Sequence, residues 1–253
     1  MPTPKPQITL SNDVEIVNGG GSSYHNDSDY VSRLEKEKTY RDLSTIIICP
    51  TRGMIPSRVV ANWQYMRPMN QKCIGPIFLE RMEVATAYNE GIKMILANPE
   101  LSKYKFILTV EEDNYPQHPD GLLKLYESID QYDCVGGLYW TKGENGQPMC
   151  YGDPNVQPLN FIPQIPRPGE ITPCNGLGMG FNLWRLEMFK DKRLLNEYGE
   201  WFRTEQKFDP QVGAKAYTQD LYFFERALGF GYKFACDARV PVIHWDEGNQ
   251  IAW

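Results

Sequence analysis

Phe106 to Pro119 reads FILTVEEDNYPQHP, and this stretch decides the fold. Phe106–Val110 is a run of apolar and β-branched residues, the pattern of a strand buried on both faces. It meets Glu111-Glu112-Asp113-Asn114, three carboxylates in a row with no basic residue among them. Such a row repels itself unless a cation sits between the oxygens. Tyr115-Pro116 stops the strand, and Pro119-Asp120 opens a helix through Lys124 to about Ile129. Acids at the carboxyl edge of an inner strand stand where open α/β sheets bind ligands. The plainer alternative is a solvated acidic turn.

The flanking segments repeat the alternation of strand and helix. STIIICP (44–50) is a short buried strand that runs into a Thr51-Arg52-Gly53 loop. Pro56-Ser57 then opens a helix through Val59, Val60, Trp63 and Met66. CIGPIFLE (73–80) is a second strand, interrupted by Gly75-Pro76. Glu83 to Ala97 places Val84, Ala87, Tyr88, Ile92, Ile95 and Leu96 at helical spacing, and DCVGGLYW (133–140) is a further strand. This order predicts a parallel sheet wound right-handedly with helices on its faces.

After Trp140 the style changes. TKGENGQPMCYG predicts a hairpin with Glu144-Asn145-Gly146 at its tip. Residues 154–173 hold six prolines in twenty positions, which rules out regular helix or an inner strand. The apolar residues between those prolines predict a packed loop. Gly176, Gly178 and Gly180 alternate before a strand-like FNLW that runs into RLEMF, a spacing that suggests close backbone approach. Thr218 to Leu228 is a helix with Thr218 as its cap and Asp220 in its first turn, where an acid is favoured for helix stability alone. GFGYKFACDARVPVIHWDEG predicts two short strands and delivers His244; a lone histidine there is also an ordinary core residue.

Composition bounds the rest. The 253 residues are 42% hydrophobic, enough for one large domain or two small ones. Lys+Arg 26 against Asp+Glu 32 gives −6, which argues against a nucleic-acid binder. No apolar run approaches the ~20 residues of a spanning helix. The N-terminus has no signal-peptide h-region, so a cytoplasmic location is expected. Residues 1–42 carry three prolines in the first six positions, NGGGSS at 18–23 and a charged SRLEKEKTYRD. They predict a flexible or peripherally packed extension ahead of one domain at 43–253. The six cysteines form no CxxC pair and several lie in strand-like runs, so buried reduced thiols are expected rather than zinc or disulfides.

Three features then fall in one order: strand-terminal acids at 111–113, a helix-opening Gln219-Asp220, and a strand-terminal His244. Over about residues 44–246 the chain resembles GT-A fold glycosyltransferases, most of all the family 2 type. The resemblance rests also on Pro50-Thr51-Arg52 after the first strand, on ATAYNEGI, and on GMGFNLWRLEMF (178–189). It implies a mostly parallel central sheet flanked by helices, with a smaller antiparallel region on the acceptor side. It implies a nucleotide-sugar donor, a glycan or other hydroxyl acceptor, and Mn²⁺ or Mg²⁺. By the resemblance, Asp113 and His244 hold the cation, with Glu111 toward the ribose or the cation. Pro50, Thr51, Arg52, Arg81, Glu111 and Glu112 contact the donor, and Gly178, Gly180, Trp184 and Gln219 line the acceptor side. Asp220 is the general base, which implies inversion at the sugar carbon.

The chain departs from the family at three of these positions. Glu111 stands for the usual first Asp, Gln219 for an acid, and Tyr88 for an Arg that precedes Asn89. Trp140, Tyr139 and Trp184 could stack on a sugar, although core packing accounts for such residues equally well. The proline-rich stretch could close over an acceptor. Rival readings are a sugar nucleotidyltransferase, a glycan- or nucleotide-sugar-binding module without turnover, and a glucosyltransferase acting on modified DNA bases. The first wants a glycine-rich phosphate loop, and CPTRGMIPS holds one glycine. The last is disfavoured by the acidic balance.

Overall fold

The computed structural model describes residues 41–68, 71–209 and 213–253. The extension expected at 1–42 lies almost wholly outside them. Strand β1 (Thr45–Thr51) is followed by helix α1 (Ser57–Tyr65), β2 (Cys73–Glu80) and α2 (Val84–Ala97). Then come β3 (Phe106–Val110), a short β4 (Asn114–Pro116), α3 (Gly121–Ser128) and β5 (Cys134–Leu138). The next stretch holds β6 (Cys150–Tyr151), β7 (Ile171–Cys174), β8 (Gly176–Leu177) and β9 (Phe181–Arg185). After β10 (Glu205–Asp209) and β11 (Gly213–Tyr217) come α4 (Gln219–Leu228), β12 (Phe234–Asp246) and β13 (Ile251–Ala252).

The main sheet runs β13-β12-β5-β9-β3-β1-β2. β2, β1 and β3 are parallel neighbours, as are β5 and β12. Between these two parallel groups lies β9, antiparallel to both β3 and β5. The expected parallel winding is therefore present but split, because FNLW returns to fill the gap between the third and fourth wound strands. β4 and β7 also pair with β12, both antiparallel.

Alternate residues of the inner strands serve opposite faces. Ile46, Ile48 and Ile107 join one buried cluster with Ala87, Tyr88, Ile92 and Ile95 of α2 and Phe223 and Phe224 of α4. On the other face, the Phe106 ring lies 5.7 Å from Tyr126 of α3, whose hydroxyl is 2.6 Å from Thr45 Oγ1. All five residues of β3 are buried, as its composition predicts.

Two strands differ from their sequence expectation. Gly75-Pro76 does not break β2; the register with β1 shifts there instead. Gly75 has φ +100° and lies so close to β1 that a Cβ would stand 2.4 Å from the Ile47 carbonyl oxygen. Only glycine fits that approach. The expected pair of C-terminal strands is one 13-residue strand, β12, with a register shift between Asp237 and Pro241. That irregularity lets a proline sit within the strand and turns its second half toward β4.

Candidate active site

β4 follows the acidic triplet and pairs antiparallel with β12, with His244 directly opposite Asn114. The Trp245 amide donates to the Asp113 carbonyl at 2.7 Å, which fixes the two chains side by side. As a result His244 Nε2 faces Asp113 Oδ2 at 3.4 Å, although 131 positions separate them in the sequence. His244 Nδ1 lies 2.9 Å from the Trp140 carbonyl oxygen. A carbonyl can only accept, so Nδ1 carries a proton and the neutral ring presents its lone pair at Nε2. Two acceptors facing each other need a proton or a cation between them.

Burial by itself would lower the His244 pKa, but hydrogen bonding to Asp113 and to the Trp140 carbonyl outweighs it and raises the value. Burial likewise favours protonated Asp113, yet His244 and Lys142 hold its carboxyl below the usual range. Lys142 Nζ stands 2.5 Å from the same Oδ2. No local pattern in the sequence marks Lys142. The hairpin that carries it is legible there, but which acid it reaches is set by tertiary pairing.

The pair fits a divalent cation as two of its ligands. A carboxylate oxygen and an imidazole lone pair converge, and the second ring nitrogen is held by a carbonyl, as metal-binding histidines commonly are. Among the described residues, no group of three or more His, Cys, Asp or Glu side chains could hold a metal unaided. The remaining ligands would have to come from substrate and water.

Glu111 lies at the end of β3, its amide donating to the Gly180 carbonyl at 3.2 Å. Its carboxyl is pushed up to about 7 by burial first, then by the charges of Asp113 and Asp220, against relief from His244 and Lys142. Asp220 is buried at the second position of α4, with one carboxylate oxygen 2.9 Å from the Leu221 amide nitrogen. Its pKa is raised, since burial outweighs the Thr218 hydroxyl and the backbone amides. Glu111 thus feels both Asp113, in the turn between β3 and β4, and Asp220 of α4. Tyr88, Tyr139 and Tyr151 are also raised, by burial first and then in part by Glu111 and Asp220.

Glu112 points the other way. It accepts from the Thr51 hydroxyl at 2.8 Å, from the Arg52 amide at 2.8 Å and from Arg52 Nε at 2.5 Å. Both carboxylate oxygens are therefore engaged with the loop after β1, which makes Glu112 a clamp on that loop. The Arg81 amide donates to the Thr51 carbonyl at 2.9 Å, at an unusual φ of +58° for a non-glycine residue. Pro50 is buried against β2, opposite Leu79. Thr51, Arg52 and Arg81 therefore gather at one edge of the sheet.

At the residues expected to line an acceptor, the structure corrects several expectations. Trp184 is 0% exposed and stacks on Phe224 at 5.3 Å, with its indole N–H donating to Thr109. It is core and cannot meet an acceptor. Gly178 and Gly180 lie against protein: a Cβ would meet the Tyr139 hydroxyl at 2.2 Å from the first, and Tyr139 Cζ at 2.7 Å from the second. Their close approach serves Tyr139, whose hydroxyl accepts from the Gly180 amide at 2.9 Å. Tyr139 is accordingly buried, while Trp140 and Gln219 are half-buried. The proline-rich stretch is not uniformly packed, since Ile162 and Ile165 are 68% and 72% exposed. The hairpin is present, with Trp140 bridged to Pro148.

A separate cavity of about 490 Å³ opens at the start of α2, lined by residues including Glu83, Thr86, Asn89, Tyr198 and Thr204. The acids described above do not line it. All six cysteines are free, five of them buried. Among the described residues, no helix is long and apolar enough to cross a membrane.

No protein-family model matches the sequence, and no curated protein matches it. Solved structures do. A197 from STIV aligns with a TM-score of 0.53 at 16% identity, over 83% of this chain and 92% of that one. GalNAc-T7, solved with UDP, GalNAc and Mn²⁺, gives 0.45 at 11% identity, over 81% of this chain and 44% of that one. A Drosophila β1,4-galactosyltransferase 7 mutant, in complex with manganese, UDP-Gal and xylobiose, gives 0.45 at 12% identity, over 81% and 72%. Identities this low speak to architecture alone. The likeness to A197 is one of architecture, a mixed α/β domain on a mostly parallel central sheet flanked by helices.

Proposed function

We propose that this chain is a metal-dependent glycosyltransferase that moves a sugar from a nucleotide-diphosphate sugar to an acceptor hydroxyl. The observation that carries this reading is the Asp113–His244 pair, 3.4 Å apart at the carboxyl edge of β3. Asp113 and His244 hold a divalent cation, Mn²⁺ or Mg²⁺, a donor set that suits Mn²⁺. When bound, that ion supplies Lewis-acid stabilisation of the negative charge on the departing diphosphate.

The chain's own residues do the rest. The Thr51–Arg52 loop, braced by Glu112, and Arg81 beside it receive the nucleotide. Arg52 is 88% exposed on its side chain, so its guanidinium can reach a ligand without leaving the fold. Glu111 faces the ribose or the cation. Asp220 takes the proton of the attacking hydroxyl, a role supported by its burial and by a raised pKa that makes it a stronger base than an exposed aspartate. A base opposite the leaving group implies inversion at the sugar carbon. Gln219, beside Asp220 and half-buried, is positioned for the acceptor.

The test is a panel of UDP-, GDP- and dTDP-sugars assayed with and without Mn²⁺, run on the wild type and on Asp220→Asn. Mn²⁺-stimulated transfer or hydrolysis by the wild type, with donor binding kept and transfer lost in the variant, is the expected result. Equal transfer rates in the two proteins would refute Asp220 as the base. Donor binding without turnover would make the chain a binding module. A sugar nucleotidyltransferase is disfavoured because the loop after β1 has one glycine and is tied down by Glu112.

A further inference from the structure

From the geometry around Asp113 we infer that Lys142 is a built-in, displaceable counter-ion: it holds the metal-binding carboxylate when no cation is present and must withdraw for one to bind. The inference deepens the proposed function and rests on its assignment of Asp113 and His244. Lys142 Nζ lies 2.5 Å from Asp113 Oδ2, the same oxygen that faces His244 Nε2 at 3.4 Å. An ammonium at hydrogen-bond distance and a metal ion cannot share one side of one oxygen. They compete for it.

The hairpin that carries Lys142 is built to allow the exchange. Its base is fixed: the Trp140 carbonyl accepts a hydrogen bond from His244 Nδ1, Trp140 bridges Pro148, and the Thr141 amide donates to the Gln147 carbonyl at 2.9 Å. Its tip is open. Gly143, next to Lys142, has φ +109° and no heavy atom within 4 Å of where a Cβ would stand. Lys142 is about a third exposed, so its stem can swing into solvent without emptying the core.

Mn²⁺ alone is the probe, titrated without nucleotide and followed by the electron paramagnetic resonance signal of the free ion. Lys142→Gln should bind Mn²⁺ about tenfold more tightly than wild type, since competitor and like charge are both removed. Lys142→Arg keeps the charge and should stay near the wild-type affinity. In the wild type, Mn²⁺ should speed backbone hydrogen exchange in residues 141–148. Equal or weaker Mn²⁺ binding by Lys142→Gln, while Asp113→Asn still abolishes it, overturns the inference and leaves the proposed function standing. An arginine variant that behaves like the glutamine variant, or unchanged exchange in the hairpin, overturns it too. If none of these proteins shows Mn²⁺ binding that depends on Asp113, both readings fail together.

Discussion

Each acid of the Glu111-Glu112-Asp113 row meets a different neighbour, and so each has a different job. Glu112 stabilises the loop after β1, Asp113 meets His244 and Lys142, and Glu111 is left between two other acids. Asp113→Asn keeps the shape but removes the one carboxylate charge of the Asp113–His244 pair, and should abolish Mn²⁺-stimulated donor hydrolysis while leaving Tm nearly unchanged. A variant that keeps full Mn²⁺ stimulation would remove Asp113 from the site. Asp220 makes a prediction about stability as well as rate. Its folded pKa is raised, so the folded chain holds the proton more tightly than the unfolded chain. The stability this gives is complete at low pH and is lost as pH climbs from the ordinary aspartate range through the raised value. Asparagine stays neutral throughout. Asp220→Asn should therefore gain stability relative to wild type over that climb and hold the gain above it, as urea denaturation between about pH 4 and about pH 8 would record. A constant difference across that range would count against burial as the cause of the raised value.

At the scale of elements, β12 and α2 position the site. β12 spans 13 residues because its first half is paired with β5 and β7 and its second half with β4 and β13. The irregularity at 237–241 redirects the strand, and without it His244 would not meet Asn114. α2 begins at an N-cap in which Glu83 accepts from the Thr86 amide at 3.0 Å, and it carries Asn89 on its buried face. Asn89 Oδ1 accepts from the amides of Trp201 and Phe202 at 2.9 and 3.1 Å, and its Nδ2 donates to the Phe202 carbonyl at 2.8 Å. That one amide fixes the segment leading to β10, β11 and α4. Asn89→Ala leaves three buried backbone groups without partners and should cost on the order of 2–4 kcal/mol. Proteolysis near Trp201–Phe202 should rise together with the loss of stability. An unchanged denaturation midpoint would show that the segment is held elsewhere.

For the whole molecule, the aromatic cluster around Trp184 joins β9, α4 and the segment at 201–202 into one core. Trp184→Ala should destabilise by about 3–5 kcal/mol and lower Tm by on the order of 10 °C. Trp184→Phe keeps most of the ring and should lose less, mainly the hydrogen bond to Thr109. Were Trp184 an acceptor platform, the phenylalanine variant would lose acceptor affinity with little change in Tm. Its complete burial predicts the reverse.

The sequence by itself determined the alternation of strand and helix, the buried character of β3, the start of each helix to within a residue or two, and the hairpin after Trp140. These follow from local periodicity and from prolines and glycines, which act over a few residues. It also put acids at 111–113, Asp220 and His244 at element ends, and the resemblance to GT-A glycosyltransferases then picked Asp113, Asp220 and His244 from among them. Only the tertiary structure decided which partner each of them has. The return of β9 between two parallel groups, the fusion of two expected strands into β12, the burial of Trp184 and the arrival of Lys142 at Asp113 all depend on pairings between residues far apart in the chain. Local composition carries no record of such pairings, because a tryptophan or a lysine reads the same in sequence whether it ends in the core, in solvent or against a carboxylate.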